Sequence, residues 1–395
     1  MTEKSVVAIV IYVHPASHVM LDHRTYPDLD RLALSYNGLH LYGAGLPRFM
    51  RLFSRDLLLS AFLFRDAGFL QDILAFCALR QGKRTDAYTG MEPGKIPHEV
   101  PGVVLSISGK LYSTEYNACD TTALFLIGLR LHHEWTGQPA MVTAMRGEAR
   151  RCLEYLERHV DKSGLFWDGP SYSGATERAL VVNYWKDNFV ISARENGTPS
   201  YPAAYALLQA KTAAAFRAAS ELAPLLGLSD ERLGRRARRV AGAFWSFWDG
   251  KSIALGRDQQ GLFPGIASDV LHALAYLQPD SIDRDKFDSA LSACSALETP
   301  FGYRTSASQD PGYSADNYHN GSIWPFEQAF IARGARSHGL RHVEEVARRV
   351  LRCLQGSYPE ALRWEEGMDA PTLATKSCHT QLWSIAAHAA LTARQ

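Results

Sequence analysis

The feature that most constrains this chain is a run of helix-forming segments that arrive in pairs, with hardly a convincing strand between them. Apolar and amphipathic periodicity predicts helices over 56–64, 67–79, 120–135, 144–159, 203–226, 230–248, 267–277, 284–294, 323–337, 343–354 and 381–392, with a twelfth near 29–36. Within 120–135, Leu124, Ile127 and His132 repeat on one face and the small Gly128 lies inside. The 203–226 segment is rich in alanine, the best intrinsic helix former. Ser229 is placed to cap the helix that follows it. Each such helix must bury a stripe against a neighbour. About twelve of them in successive pairs suit an all-α (α/α)6 toroid, in which inner helices alternate with outer ones. An α-solenoid would instead show a fixed repeat of ~34 to ~45 residues, and the chain has none. Two long stretches, 81–116 and 161–202, are rich in Gly, Pro, Ser and aromatic residues, and loops of that length are usually functional. They predict a bowl at one end of the barrel. No linker-like shift in composition divides the chain, so the reading is one domain over 41–395 after an N-terminal extension over 1–40.

Composition narrows the partners. The 395 residues are 46% apolar and 21% charged, as in a soluble globular protein. A net charge of +1 gives no footprint for nucleic acid or an acidic membrane. No run reaches the ~18 apolar residues of a membrane span. The apolar segment 6–13 is short and lacks a cleavage site, so it does not read as a secretory signal, and a cytoplasmic protein is expected. Cys77, Cys119, Cys152, Cys294, Cys353 and Cys378 form neither a C-x-x-C pair nor zinc-finger spacing, and buried free thiols are expected over disulfides. His132-His133-Glu134 places its side chains on diverging helix faces, which argues against a metal site there. No metal and no cofactor is expected.

One stretch points to a ligand class. Tyr318-His319-Asn320-Gly321-Ser322-Ile323-Trp324-Pro325 combines rings, hydrogen-bonding groups and a tight turn at the mouth of a helix. Proline suits the first helical turn and would aim the preceding loop at the bowl. Sugars present flat apolar faces edged with hydroxyls, which rings cover and polar side chains pair. The chain has 8 Trp, 17 Tyr and 17 Phe to draw on. Trp185 and Trp324 are candidates for stacking, and Trp245 and Trp248 for the core.

Five ordered segments resemble the amylo-α-1,6-glucosidases of glycogen debranching. They are Ala44-Gly45-Leu46-Pro47-Arg48-Phe49 with Phe53-Ser54-Arg55-Asp56; Gln81-Gly82-Lys83 with Glu92-Pro93-Gly94-Lys95-Ile96-Pro97-His98-Glu99; Tyr116-Asn117-Ala118-Cys119-Asp120-Thr121-Thr122; Tyr184-Trp185-Lys186-Asp187-Asn188; and the Tyr318 stretch with Tyr358-Pro359-Glu360 and Cys378-His379-Thr380-Gln381-Leu382-Trp383-Ser384. The resemblance implies a six-hairpin glycosidase barrel that cleaves α-glucosidic bonds of a glycogen-like oligosaccharide with inversion, without a cofactor. Two departures stand out. The family's N-terminal β-rich domain has almost no counterpart, and Asn188 stands where the family has Ser.

Glycoside hydrolysis by inversion takes a protonated carboxylic acid beside the leaving oxygen and a carboxylate that activates water on the opposite face. Asp187 lies among Tyr184, Trp185 and Phe189, and aromatic neighbours would desolvate it as an acid requires, although Lys186 opposes this if it points the same way. The resemblance makes Asp187 the acid and Glu360 the base, with Glu327, Glu365 and Glu366 as rival carboxylates. It also makes Arg55 and Asp56 the pair that grips the terminal sugar, against the simpler reading of a salt bridge at a helix start. His98, Glu99, Asn117, Asp120, Trp185, Lys186, His319, Asn320 and Trp324 complete the expected binding set. Asp120 before Thr121-Thr122 also suits a helix N-cap, and His319 could donate to a sugar hydroxyl or to Glu360. Two alternatives stay open: an epimerase or isomerase on the same barrel, normally marked by paired histidines that this sequence does not display, and a non-catalytic oligosaccharide-binding module.

Overall fold

The computed structural model describes residues 24–175, 185–186 and 199–393. Six helices form a closed inner ring: Ser54–Phe64, Thr121–Thr136, Ala206–Glu221, Asp269–Ala273, Pro325–Ser337 and Leu382–Thr392. Each packs against the next and the last packs against the first. These helices are apolar or small almost all the way round, the signature of a helix with no wet face. Ten of the 11 residues in Ser54–Phe64 are buried, and 13 of the 16 in Ala206–Glu221.

An outer layer covers them. Ala67–Leu79 packs between the first two inner helices, and Arg146–His159, Asp230–Ala243, Arg284–Cys294 and Arg341–Arg348 pack on the second to fifth in order. Outer helices bury a single stripe. In Asp230–Ala243 the stripe is Leu233, Ala237 and Val240, and Arg232, Arg235, Arg238 and Arg239 are exposed around it. Each fully buried Leu or Val contributes roughly 1.5–3 kcal/mol. Ser229 caps this helix as expected, its hydroxyl accepting from Arg232 N. The result is the all-α (α/α)6 toroid.

Several expected boundaries are corrected. The segment near 29–36 is a five-residue helix, Asp28–Leu32, followed by the strand Ala33–Tyr36, which pairs with Leu39–Tyr42. Leu29, Leu32, Leu41 and Tyr42 of this region are buried on the barrel. The 203–226 helix opens as a strand, Ala204–Tyr205, and breaks at Leu222 before Ala223–Leu226. Pro224 stands in the first turn of the second helix, where its missing N–H cannot continue the hydrogen-bond ladder of the first. The 267–277 segment holds only Asp269–Ala273 as α-helix, and 343–354 becomes Arg341–Arg348 with a 3₁₀ end, Arg349–Cys353. The 81–116 loop carries structure of its own, the strand Glu99–Val100 and the hairpin of Val104–Ile107 with Lys110–Ser113.

Short strand pairs decorate one rim. Leu52–Phe53 pairs with Glu99–Val100, and Gly45–Leu46 with Thr380–Gln381. Leu52–Phe53, Ala204–Tyr205 and Thr380–Gln381 each lead directly into an inner helix. The rim therefore fixes side chains at the N-terminal mouths of the ring. No helix among the described residues is long and apolar enough to cross a membrane. All six cysteines are free thiols and five are buried.

Candidate active site

A cavity of about 280 Å³ opens at this rim. Its polar groups are Arg55 and Asp56 in the first turn of one inner helix, Gln381 before another, and Glu360 from the loop between helices. Its walls are aromatic: Phe49, Phe53, Trp185, Tyr318, Trp324 and Trp383. His98 and His319 line it too, and Arg48 and Lys376 stand exposed at the edge.

Glu360 is held from two directions. Cys378 N donates to its Oε2 at 2.7 Å, and the Tyr318 hydroxyl donates to its Oε1. Its backbone N–H donates to Cys378 O at 2.9 Å. The 378–384 motif thus serves as a splint for the carboxylate. Its rivals are placed elsewhere. Glu365 and Glu366 are exposed outside the cavity, and Glu365 pairs with Arg363 at 2.9 Å. Glu327 is fully buried outside the cavity lining, where Ser268 Oγ donates to it at 2.6 Å.

Asp56 accepts from Gln381 Nε2 at 3.2 Å. Gly45 makes room for that contact, because a Cβ there would sit 1.6 Å from Gln381 Oε1. Arg55 pairs with Asp120 rather than with its sequence neighbour. Its Nε donates to both Asp120 oxygens at 2.9 and 3.1 Å, and Lys211 Nζ donates to Oδ2 at 2.8 Å. Burial works against the Asp120 charge, but Arg55 and Lys211 overcome it and hold the carboxyl down at about 2. Asp120 therefore makes no side-chain cap and does not line the cavity. It fixes the guanidinium that does.

The ring cluster is dense. Trp185 meets His319, Trp324 and Phe326 edge-on at 5.5, 5.5 and 5.2 Å between centres. His319 stacks on Trp324 at 5.1 Å. Burial, with Lys186 and Arg55 nearby, drives the His319 pKa far below its usual value, so its ring is neutral. Trp324 Nε1 donates to Tyr318 O and Ser322 Oγ, both at 2.8 Å, which shapes the loop that bears Tyr318. Gly321 is required there by space, since a Cβ would lie 2.1 Å from Ser314 O. Pro325 occupies the first helical turn as expected.

Of the residues expected at the site, Arg55, Asp56, His98, Trp185, His319, Trp324 and Glu360 come together in this cavity. Glu99, Asn117, Asp120, Lys186 and Asn320 are not among its lining. Glu99 accepts from Thr114 Oγ1 and from Arg51 at 2.9 Å. Asn117 borders a separate small cavity beside Asp168. Asn320 is buried, its backbone N–H donating to Asn317 Oδ1 at 3.1 Å. Lys186 turns into a buried polar cluster. Asp187, Tyr184 and Asn188 lie outside the described residues.

Sequence reasoning quoted Tyr318 in its motif without a role of its own and missed its grip on Glu360. It quoted Gln381 and Trp383 in a motif without assigning them to the site, and it gave Arg48 and Lys376 no role. His98 and His319, from distant parts of the chain, both line this cavity, a placement that the sequence does not display.

A carboxylate, Arg55 beside Asp56, and ring walls thus meet at the mouth of an (α/α)6 barrel. The family model for the mannosylglycerate hydrolase MGH1-like glycoside hydrolase domain matches residues 64–384, and the chain belongs to that family of glycoside hydrolases. Among solved structures it resembles the GH63 mannosylglycerate hydrolase from Thermus thermophilus in complex with Tris, at 13% identity and a TM-score of 0.66, over 93% of this chain and 98% of that one. The same enzyme with Tris and D-glycerate gives 12% identity and a TM-score of 0.65 over equal shares. A sialidase matches at 13% identity with a TM-score of 0.62, over 92% of this chain and 32% of its own. These likenesses are of fold. No curated protein matches the chain in sequence.

Proposed function

We propose that this enzyme hydrolyses, with inversion, the α-glycosidic bond of a small glycoside whose aglycone is short and anionic. The observation that carries the reading is Glu360, a carboxylate held by Tyr318 and Cys378 N on the wall of an aromatic cavity. Arg55 and Asp56 grip the hydroxyls of one terminal sugar, and the rings cover its faces. Glu360 takes a proton from water as the water oxygen bonds to the anomeric carbon. Asp187 gives its proton to the leaving oxygen as the old C–O bond breaks. The free sugar and the aglycone alcohol leave, and a proton passes from Glu360 to Asp187 through solvent to reset the pair.

The size and charge of the site support a small acidic substrate. A cavity of about 280 Å³ is at the small end of ligand sites, which run from about 300 to 1,000 Å³. Arg48 and Lys376 at its edge make no salt bridge with one another or with a carboxylate among the described residues. They would meet a carboxylate such as that of the mannosylglycerate for which the similar structures are named. The second reading is an α-1,6-linked glucose at a chain end, favoured by the ordered motifs over residues 44–390.

The test is a panel of mannosylglycerate, glucosylglycerate, isomaltose, panose and limit dextrin, with NMR of the fresh product. A glycerate glycoside is expected to be cleaved fastest, with the β-anomer appearing first. Glu360→Gln should lower kcat by about 10³-fold, within the range of removing an essential acid or base. Faster release from isomaltose or panose would move the substrate assignment to the second reading, and an α-anomer would end the inverting mechanism.

A further inference from the structure

A second cavity, of about 60 Å³, opens toward the other end of the barrel, away from the mouths of the inner helices. Four inner helices build its apolar floor: Phe62, Ile127, Leu131 and Phe330 supply rings and branched chains, and Ala214 and Ala218 make room between them. Phe62 stands two turns beyond Arg55 on one helix, roughly 10 Å along its axis. The two cavities have no lining residue in common among the described residues.

The charges of this rear cavity do not balance. Arg130, Arg217 and Arg333 line it, and Glu221 is the single carboxylate among its described lining residues. Glu221 already takes Arg130 at 2.7 Å, and Arg130 pairs again with Glu134 at 2.8 Å. Arg217 Nε lies 3.8 Å from Glu221, and each of its terminal nitrogens donates to Tyr276 O at 3.3 Å. Burial is the main reason its pKa lies below the ordinary value, opposed by Glu221 and helped by Arg130. Each terminal nitrogen keeps a further N–H to give. The Arg333 guanidinium pairs with no carboxylate and makes no hydrogen bond among the described residues. A neutral donor is left over as well. Tyr276 is buried and lines the same cavity, and its hydroxyl finds no hydrogen-bond partner among the described residues. Burial, and after it Asp120, raises its pKa, so the hydroxyl keeps its proton and can donate.

Donors without acceptors, above an apolar floor, select an anion with a hydrocarbon body. A guanidinium fork matches a carboxylate in plane and spacing. The floor rewards burial of a short chain, which a fully hydrated inorganic anion lacks. Size sets the chain length. At about 10–15 Å³ for each water-sized group, the cavity admits about four to six heavy atoms. We infer that the rear cavity is a second binding site, which takes a short-chain aliphatic monocarboxylate, its carboxylate on Arg333, Arg217 and the Tyr276 hydroxyl and its chain on the apolar floor.

NMR titrations with butyrate, its neutral isostere butyramide and inorganic phosphate test the site on wild type, Arg333→Met, Tyr276→Phe and Arg48→Met, with folding checked by circular dichroism. Wild type should bind butyrate about 10- to 100-fold more tightly than butyramide, the scale of hydrogen bonds to a charged group, and more tightly than phosphate. Arg333→Met should lose about 10-fold or more of the butyrate affinity with glycosidase activity unchanged, and Tyr276→Phe should lose several-fold. Arg48→Met alters only the edge of the front cavity and should leave butyrate affinity as it is. If Arg333→Met does not fold, Tyr276→Phe, which removes a single oxygen, carries the test alone. Butyrate affinity kept in Arg333→Met, or lost only in Arg48→Met, would overturn the site. Equal binding of butyramide or of phosphate would overturn the assignment of its ligand.

Discussion

Glu327 offers the sharpest test of the electrostatics under the cavity. It is fully buried, and burial is the main cause that pushes its pKa from 4.5 up to about 8, helped by Asp269 and opposed by Lys186 and Ser268. His272 Nδ1 lies 3.8 Å away and is held neutral, chiefly by burial. At neutral pH the folded protein therefore keeps Glu327 protonated, while the unfolded chain ionises it near its ordinary value. The folded state binds the extra proton, so stability falls as pH rises. That contribution is intact below pH 4.5, declines above it, and is lost once pH passes about 8. Each pH unit in the interval costs ~1.4 kcal/mol, so the penalty is on the order of 3 kcal/mol at pH 7 and 5 kcal/mol above pH 8. Glu327→Gln retains the shape of the neutral carboxyl and cannot ionise. Urea unfolding of both proteins at pH 5, 7 and 8.5 should show the variant gaining relative stability by about those amounts, with an unchanged slope against urea. Parallel stability curves across this range would refute the reasoning, because Glu327 would then be an ionised partner of Lys186.

Two further outcomes follow from the geometry. Asp120→Asn leaves Arg55 and Lys211 buried with a neutral partner and should cost about 3–5 kcal/mol of stability at pH 7. The Asp120 carboxyl is held below its ordinary 3.8, at about 2, so about 2.5 kcal/mol of this difference is present above pH 3.8 and is lost as pH falls through about 2; a pH-independent loss in urea unfolding would contradict the ion-pair account. Gly45→Ala drives a methyl group into Gln381 and should detach it from Asp56, raising KM about 10-fold, the scale of one charged hydrogen bond, and unchanged steady-state kinetics would show that Gln381 does not orient Asp56.

The barrel was legible because its two helix layers leave different marks. Inner segments such as Leu57-Leu58-Leu59 are buried all round, and outer ones such as Asp230–Ala243 carry one stripe in a charged surface. Both patterns have the helical period, so the pairs stood out. Boundaries failed where structure has no period to read. Strands of two residues, such as Ala204–Tyr205 and Thr380–Gln381, are too short to alternate, and they are held by partners far along the chain. Tyr36 continues the i, i+3, i+7 spacing of Leu29 and Leu32 although it packs on the core from a strand, so the segment near 29–36 reads as one helix in sequence.

The site was legible where a motif residue faces the cavity by necessity, and illegible where a charge turns away from it. Arg55 and Lys186 sit in equally suggestive motifs, each beside an aspartate in sequence. Arg55 reaches the cavity because Asp120, 65 residues away, holds its Nε side. Lys186 is drawn off by Asp269, 83 residues away. Neither partner is a sequence neighbour, and no local pattern distinguishes a head that enters the bowl from one that props it up. The cluster behind the Trp185 ring balances its charge across the chain: the Lys186 ammonium faces Asp269, while burial keeps Glu327 protonated and His272 neutral at pH 7. The barrel buries two lysines this deeply because each meets a carboxylate from a distant element, Asp269 for Lys186 and Asp120 for Lys211.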